Sequence, residues 1–169
     1  IALAGTGVGK SLFMCHVAAG CLAQGHNVLY ITLEMAEEKI AERIDANMLN
    51  IDLNELHTIS KPDYERKFEA LRSKTHGKLI IKEYPTAGAS ALHFRALLNE
   101  LALKKSFRPD IIFIDYLNIC SSARIKAGGN VNSYTYIKSI AEELRGLAVE
   151  FAVPIVSATQ TTRSGYSNS

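Results

Sequence analysis

The octapeptide Ala4-Gly5-Thr6-Gly7-Val8-Gly9-Lys10-Ser11 restricts what this chain can fold into more than any other stretch. It follows a short apolar segment, Ile1-Ala2-Leu3, and runs into a helix-compatible stretch beginning at Ser11. A strand, a glycine-rich loop and a helix in that order make a phosphate cradle. Small residues let backbone N–H groups turn inward on the phosphates, and the helix N-terminus adds the positive end of its dipole. Lys10 is placed to reach the β- and γ-phosphates and the Ser11 hydroxyl to ligate Mg²⁺. The strict pattern has Gly where this chain has Ala4, a position that tolerates a small residue. The competing reading is a glycine-rich turn that happens to precede Lys-Ser; the flanking strand and helix argue against it. Residues 4–11, with Leu12, are therefore the expected nucleotide-binding residues.

The rest of the chain fits that opening. Short segments rich in Ile, Val and Leu at 1–4, 28–33, 79–84, 111–115 and 153–158 read as strands, mostly without the alternation of a half-exposed sheet. Helical stretches at 11–24, 36–49, 62–74, 91–104 and 134–151 separate them. The third starts from Ser60-Lys61-Pro62-Asp63, a cap followed by an early proline. The fourth presents Phe94, Leu97, Leu98 and Leu101 on one face, and the fifth Ile137, Ile140, Ala141, Leu144 and Leu147. Strands alternating with helices predict an α/β fold, a mostly parallel sheet with helices on both faces. The stretch 121–132 is long for a connection in such a fold, which marks it as a working loop.

A length of 169 residues suits one domain, and 47% hydrophobic with 21% charged residues is ordinary for a soluble globular protein. A formal net charge of +2 is too small to imply nucleic acid by itself, so any basic surface must be local. Cys15, Cys21 and Cys120 form no CxxC pair and read as buried thiols of a reducing compartment. The five histidines show no metal-ligand spacing. No apolar run approaches a membrane span, and no signal peptide is visible. The chain opens inside its first expected strand without Met and stops in a polar stretch, so both ends are expected to be cuts in a longer protein.

Three further residues are candidates for chemistry. Ile111-Ile112-Phe113-Ile114-Asp115 is an apolar strand ending in an acid, the arrangement that holds Mg²⁺ beside a phosphate loop, usually through water. The alternative for Asp115 is a turn or helix cap. Glu34 ends the second expected strand, at the edge where open parallel sheets bind ligands, and could activate a water for attack on a γ-phosphate. It could equally complement the dipole of the helix that follows. Gln160, after the last expected strand, could sense a γ-phosphate through its amide or be a solvated loop residue.

Together these pieces resemble the RecA-like motor domain of DnaB-type replicative helicases, most closely those of large tailed phages. The resemblance rests on Ala4–Ser11, Asn27-Val28-Leu29-Tyr30-Ile31-Thr32-Leu33-Glu34-Met35, Arg43-Ile44-Asp45-Ala46-Asn47, Ile111–Leu117, Ile140-Ala141-Glu142-Glu143-Leu144-Arg145-Gly146-Leu147-Ala148, and the strand leading to Gln160. Leu-Glu-Met with Asp-Tyr-Leu is much more specific than the phosphate loop alone. The resemblance implies a P-loop NTPase core that takes ATP and Mg²⁺. Lys10 and Ser11 would serve phosphate and metal, Glu34 would be the catalytic glutamate, Asp115 the metal-side acid and Gln160 the γ-phosphate sensor. It also implies a homo-hexameric ring moving 5′ to 3′ on single-stranded DNA, contacts with a primase and a helicase loader, and a cytoplasmic location in a bacterial host. The stretch 121–132 and that after Gln160 would face the ring's channel, with Arg124, Lys126 and Arg163 meeting the DNA backbone; for each the alternative is a solvated charge. The family takes a basic finger from the neighbouring subunit, encoded beyond this chain, and such a finger is worth about 10³–10⁵ in rate. The fragment is thus expected to bind nucleotide better than it hydrolyses it. The rival readings are a RecA-like recombinase or other DNA-dependent ATPase, a P-loop small-molecule or protein kinase, and a regulatory ATP-binding module.

Overall fold

Apolar strands without alternation belong where both faces of a sheet are covered, and the structure places 28–32 and 111–115 there. The chain is described by a computed structural model at residues 1–5, 7–74, 77–126 and 131–160. Its elements are β1 (Ala2–Ala4), α1 (Lys10–Ala23), β2 (Val28–Thr32), α2 (Glu37–Leu49), α3 (Leu53–Thr58), α4 (Lys61–Arg72), β3 (Leu79–Glu83), α5 (Ala91–Lys105), β4 (Ile111–Asp115), a 3₁₀ turn (Leu117–Ile119), α6 (Ser133–Phe151) and β5 (Ile155–Gln160). The five strands form one sheet in the order β1-β5-β4-β2-β3, and each of these pairings is parallel.

Successive residues of a strand face opposite sides, and the core divides accordingly. Leu29, Ile31, Ile112 and Ile114 pack with Phe94, Leu97, Leu98 and Leu101 of α5 and with Ile140, Leu144 and Leu147 of α6. Val28, Tyr30 and Phe113 pack on the other side with Met14, Cys15 and Ala18 of α1 and with Ile40 and Ile44 of α2. The apolar faces expected for the last two long helices are the faces the sheet covers.

Element bounds differ from the sequence-based expectation at several points. β5 starts and ends two residues later than expected, so Gln160 lies within the strand, paired with Ala4, instead of following it. β2 stops at Thr32, which leaves Glu34 two residues past the strand end. α3, not expected at all, buries no residue; it begins where the Asp52 carboxylate accepts from the Asn54 N–H. The proline-led helix forms as expected, with the Ser60 hydroxyl accepting from the Asp63 N–H at the cap.

Candidate functional site

The register of a parallel sheet decides which strand ends stand side by side. Thr32 pairs with Asp115, and the Leu33 N–H donates to the Asp115 carbonyl at 3.0 Å. Ala4 pairs with Gln160 across the other half of the sheet. Between them β5 is tied to β4 by the Ser157 hydroxyl, which donates to the Ile114 carbonyl at 2.7 Å. The phosphate-type loop, Gln160, Asp115 and Glu34 therefore all stand at the carboxyl edge, although they come from four separate stretches of chain.

The loop leaving β1 turns through Gly7 at φ +72° and Gly9 at φ +93°, left-handed backbone that side-chain-bearing residues disfavour. Gly9 abuts α1, and its carbonyl already accepts from the Phe13 N–H at 2.9 Å. Among the described residues no side chain caps α1, and no acid sits in its first turn. The first amides and the positive dipole end of the helix are thus free to meet an anion. Lys10 folds back over the loop: its Nζ donates to the Gly5 carbonyl at 2.9 Å and lies 5.5 Å from the Tyr116 ring centroid.

A cleft of about 280 Å³ opens at this edge. Gly7, Gly9, Lys10, Ser11 and Leu12 line it together with Glu34, Met35 and Arg43, and Tyr116 and Gln160 complete it. Seven predicted residues, Gly7, Gly9, Lys10, Ser11, Leu12, Glu34 and Gln160, therefore share one cavity. Asp115 lies just outside the lining, 1% exposed, adjacent in sequence to Tyr116. Its Oδ2 accepts from the Tyr30 hydroxyl at 3.0 Å, whereas its Oδ1 is buried with no hydrogen-bond partner among the described residues. An unpaired buried carboxylate oxygen is costly, and a metal-bound water is a group that would satisfy it. The donor set thus fits Mg²⁺. Among the described residues no three His, Cys, Asp or Glu side chains cluster as a metal cage, so waters and phosphate oxygens would complete the coordination.

Burial, then the nearby negative charges of Glu34 and Asp115, raise the Tyr116 phenol above its ordinary value. Tyr116 therefore remains a neutral partner for the Lys10 ammonium. Gln160 is fixed through Asn118, whose Oδ1 accepts from the Thr159 hydroxyl at 2.7 Å and from the Gln160 N–H at 3.2 Å. Sequence reasoning assigned no role to Arg43, Asn118 or Tyr30. Arg43 had a signal, since it lies on the helix directly after the Glu34 corner, between the buried Ile40 and Ile44.

Arg124 and Lys126 do not line the cleft. The Arg124 guanidinium pairs with Glu142 and Glu143, each at 3.3 Å. Glu143, with its side chain 8% exposed, also accepts from the Ser122 hydroxyl at 2.6 Å, the Ala123 N–H at 2.9 Å and the Ser139 hydroxyl at 3.0 Å. Burial by itself would push Glu143 up, but these hydrogen bonds together hold it below the usual carboxylate range. Lys126 is exposed. Thr6, residues 127–130 and Arg163 lie outside the described residues. Two of the three thiols, Cys15 and Cys120, are buried as expected, while Cys21 is half-buried. Among the described residues no helix is long and apolar enough to cross a membrane.

The chain resembles known proteins in sequence and in fold. The family model for the DnaB-like helicase C-terminal domain matches residues 1–168. The chain is 52% identical over 172 residues to the DnaB-like replicative helicase of Enterobacteria phage T4, covering 100% of this chain and 36% of that protein. It is 31% identical over 160 residues to a probable plasmid replicative DNA helicase of Chlamydia trachomatis, covering 92% of this chain and 33% of that one. The chain thus spans about a third of the length of these relatives. Among solved structures, a DnaB-like replicative helicase described with its interactions with primase superposes with a TM-score of 0.74 at 20% identity, over 98% of this chain and 39% of that one. A second solved structure, of an ATPase domain, gives 0.75 at 20% identity, over 98% of this chain and 58% of that one.

Proposed function

Because this chain belongs to the DnaB-like helicase C-terminal domain family, we propose that it is the ATP-hydrolysing motor of a replicative DNA helicase. The observation that carries the reading is the shared cleft: Lys10, Ser11, Glu34 and Gln160 line one cavity, with the unpaired oxygen of Asp115 buried beside it.

ATP enters with its phosphates against the Gly5–Ser11 loop and the uncapped start of α1. Lys10 exchanges its bond to the Gly5 carbonyl for phosphate oxygens, a charge-assisted contact stronger than the neutral one it leaves. Ser11 and Asp115 would hold Mg²⁺, which when bound neutralises charge on the phosphates. Glu34, exposed and lining the same cleft, accepts the proton of the attacking water. Arg43, which also lines the cleft, adds a second cation. Gln160 registers the γ-phosphate at the end of a strand that pairs with the loop strand on one side and β4 on the other.

Loss of the γ-phosphate releases Gln160 at the end of β5, and this changes the motor's grip on single-stranded DNA; the stretch after Gln160, expected to take part, lies outside the described residues. Arg124 and Lys126 supply phosphate contacts from the second loop. The Arg124–Glu142 pair is half-exposed on both sides and worth about 0–1 kcal/mol, so the cost of meeting a DNA phosphate lies in drawing Arg124 from the nearly buried Glu143. In the longer protein copies of this chain form a hexameric ring, a basic finger from the neighbour completes each site, and primase and a loader bind elsewhere.

The test is ATP turnover by the full-length protein with and without single-stranded DNA. Glu34→Gln is expected to leave nucleotide affinity within about threefold while turnover falls about 10²–10⁴-fold, the size of a general-base contribution. Turnover at the wild-type rate would return Glu34 to a helix-dipole role. Indifference of the wild type to DNA would favour a kinase, and filaments in place of rings under electron microscopy would favour a recombinase.

A further inference from the structure

The metal-side acid has a partner that the sequence did not suggest. Tyr30 sits in the middle of β2, where every residue is buried, and is itself 0% exposed. A tyrosine fully enclosed by Val28, Phe113, Met14 and Ala18 pays a desolvation cost for its hydroxyl unless that hydroxyl is bonded. Here it donates to Asp115 Oδ2 at 3.0 Å and accepts a long contact of 3.8 Å from Cys15 Sγ. Cys15 lies one helical turn beyond Ser11 on α1, so the chain Cys15–Tyr30–Asp115 runs under the site from the phosphate-loop helix to β4. The ring is fixed as well, stacked on Phe113 at 5.7 Å between centroids and 11° between planes.

We propose that Tyr30 is a positioning residue for the metal site: its hydroxyl occupies Oδ2 of Asp115, fixes the rotation of the carboxylate and leaves Oδ1 as the atom that meets the metal-side water. Two observations carry this beyond a satisfied core tyrosine. The bond goes to one oxygen only, and the other oxygen of the same buried carboxylate has no partner among the described residues. A purely structural tyrosine has no reason to end on a half-satisfied acid. Partners that orient the groups around a metal typically change metal affinity or activity about 10–100-fold when removed. The inference rests on the metal-side role proposed for Asp115.

The experiment uses the full-length protein and a fluorescent, non-hydrolysable ATP analogue, with Mg²⁺ titrated from zero. Tyr30→Phe is expected to bind the analogue without metal as the wild type does. Its Mg²⁺ midpoint should rise about 10–100-fold. In an Asp115→Asn background, Tyr30→Phe should add less than about threefold, because it acts through Asp115. Should Tyr30→Phe not fold, 4-aminophenylalanine and 4-methylphenylalanine at position 30 fill the same volume. Only the first keeps a donor, and it should hold the midpoint near the wild-type value while the second raises it. An unchanged midpoint in Tyr30→Phe, equal midpoints for the two analogues, or a full additional shift in the Asp115→Asn background overturns the role of Tyr30. An unchanged midpoint in Asp115→Asn alone overturns the underlying metal reading as well.

Discussion

Among the described residues Lys10 meets the Gly5 carbonyl and the Tyr116 ring, and both are neutral partners for a full charge. That is the arrangement of a cation held in place for something better. Lys10→Ala is therefore expected to keep the fold and to weaken nucleotide binding by about 1.5–3 kcal/mol, some ten- to hundredfold, as for loss of a hydrogen bond to a charged group. The fluorescent analogue reads this directly, and an unchanged affinity would remove Lys10 from the phosphates. The thiols make a second residue-scale prediction. Burial pushes Cys15 up to about 11 and Cys120 up to about 12, so neither offers thiolate at neutral pH. Cys21 is half-buried and only raised. A thiol reagent followed by peptide mass mapping should modify Cys21 at least tenfold faster than the other two. Fast labelling of Cys15 would mean that α1 opens away from Tyr30.

Elements were legible where their own period carried the information. α5 and α6 announce their buried faces, and the loop between β1 and α1 announces its chemistry through Gly7, Gly9 and Lys10. α3 was not legible because nothing in it packs; the Asp52 cap starts it and no core residue marks it. The end of β5 was misplaced because Thr159 and Gln160 are polar, and their strand geometry comes from pairing with Leu3 and Ala4 and from Asn118, which are far away in sequence. Tyr30 read as one more apolar strand residue, since a hydrogen bond to an acid 85 positions away leaves no local trace. Glu143 likewise carried no local sign of its partners, yet it ties residues 122–124 to α6. Its lowered titration gives this anchor a pH signature. The folded-state value lies below the unfolded one of about 4.3, so the contribution is complete above that and fades as pH falls through the folded value. At pH 7 Glu143→Gln should cost about 1–2 kcal/mol in chemical denaturation, in keeping with hydrogen bonds to a charged group. The gap to wild type should narrow below about pH 4. A gap independent of pH would show that packing, not the carboxylate charge, holds the loop.

For the molecule as a whole, charge is scarce where the proposed function needs it. A formal net charge of +2 offers no broad basic field, so attraction to DNA must come from a few loop cations. The described candidates differ in kind. Lys126 stands exposed, whereas Arg124 is engaged by Glu142 and Glu143 and must leave them to meet a phosphate. Each single-strand phosphate contact contributes about −0.7 to the slope of log affinity against log salt. Lys126→Ala in the assembled protein should therefore flatten that slope by at least about 0.7, with little preference for DNA sequence. Arg124→Ala should flatten it by less, because Arg124 must first leave the half-exposed Glu142, the nearly buried Glu143 and the Ser139 carbonyl to meet a phosphate. If Arg124→Ala instead leaves the slope untouched and lowers the melting temperature, the guanidinium belongs to the Glu143 anchor. The DNA grip then falls to Lys126 and to residues beyond those described.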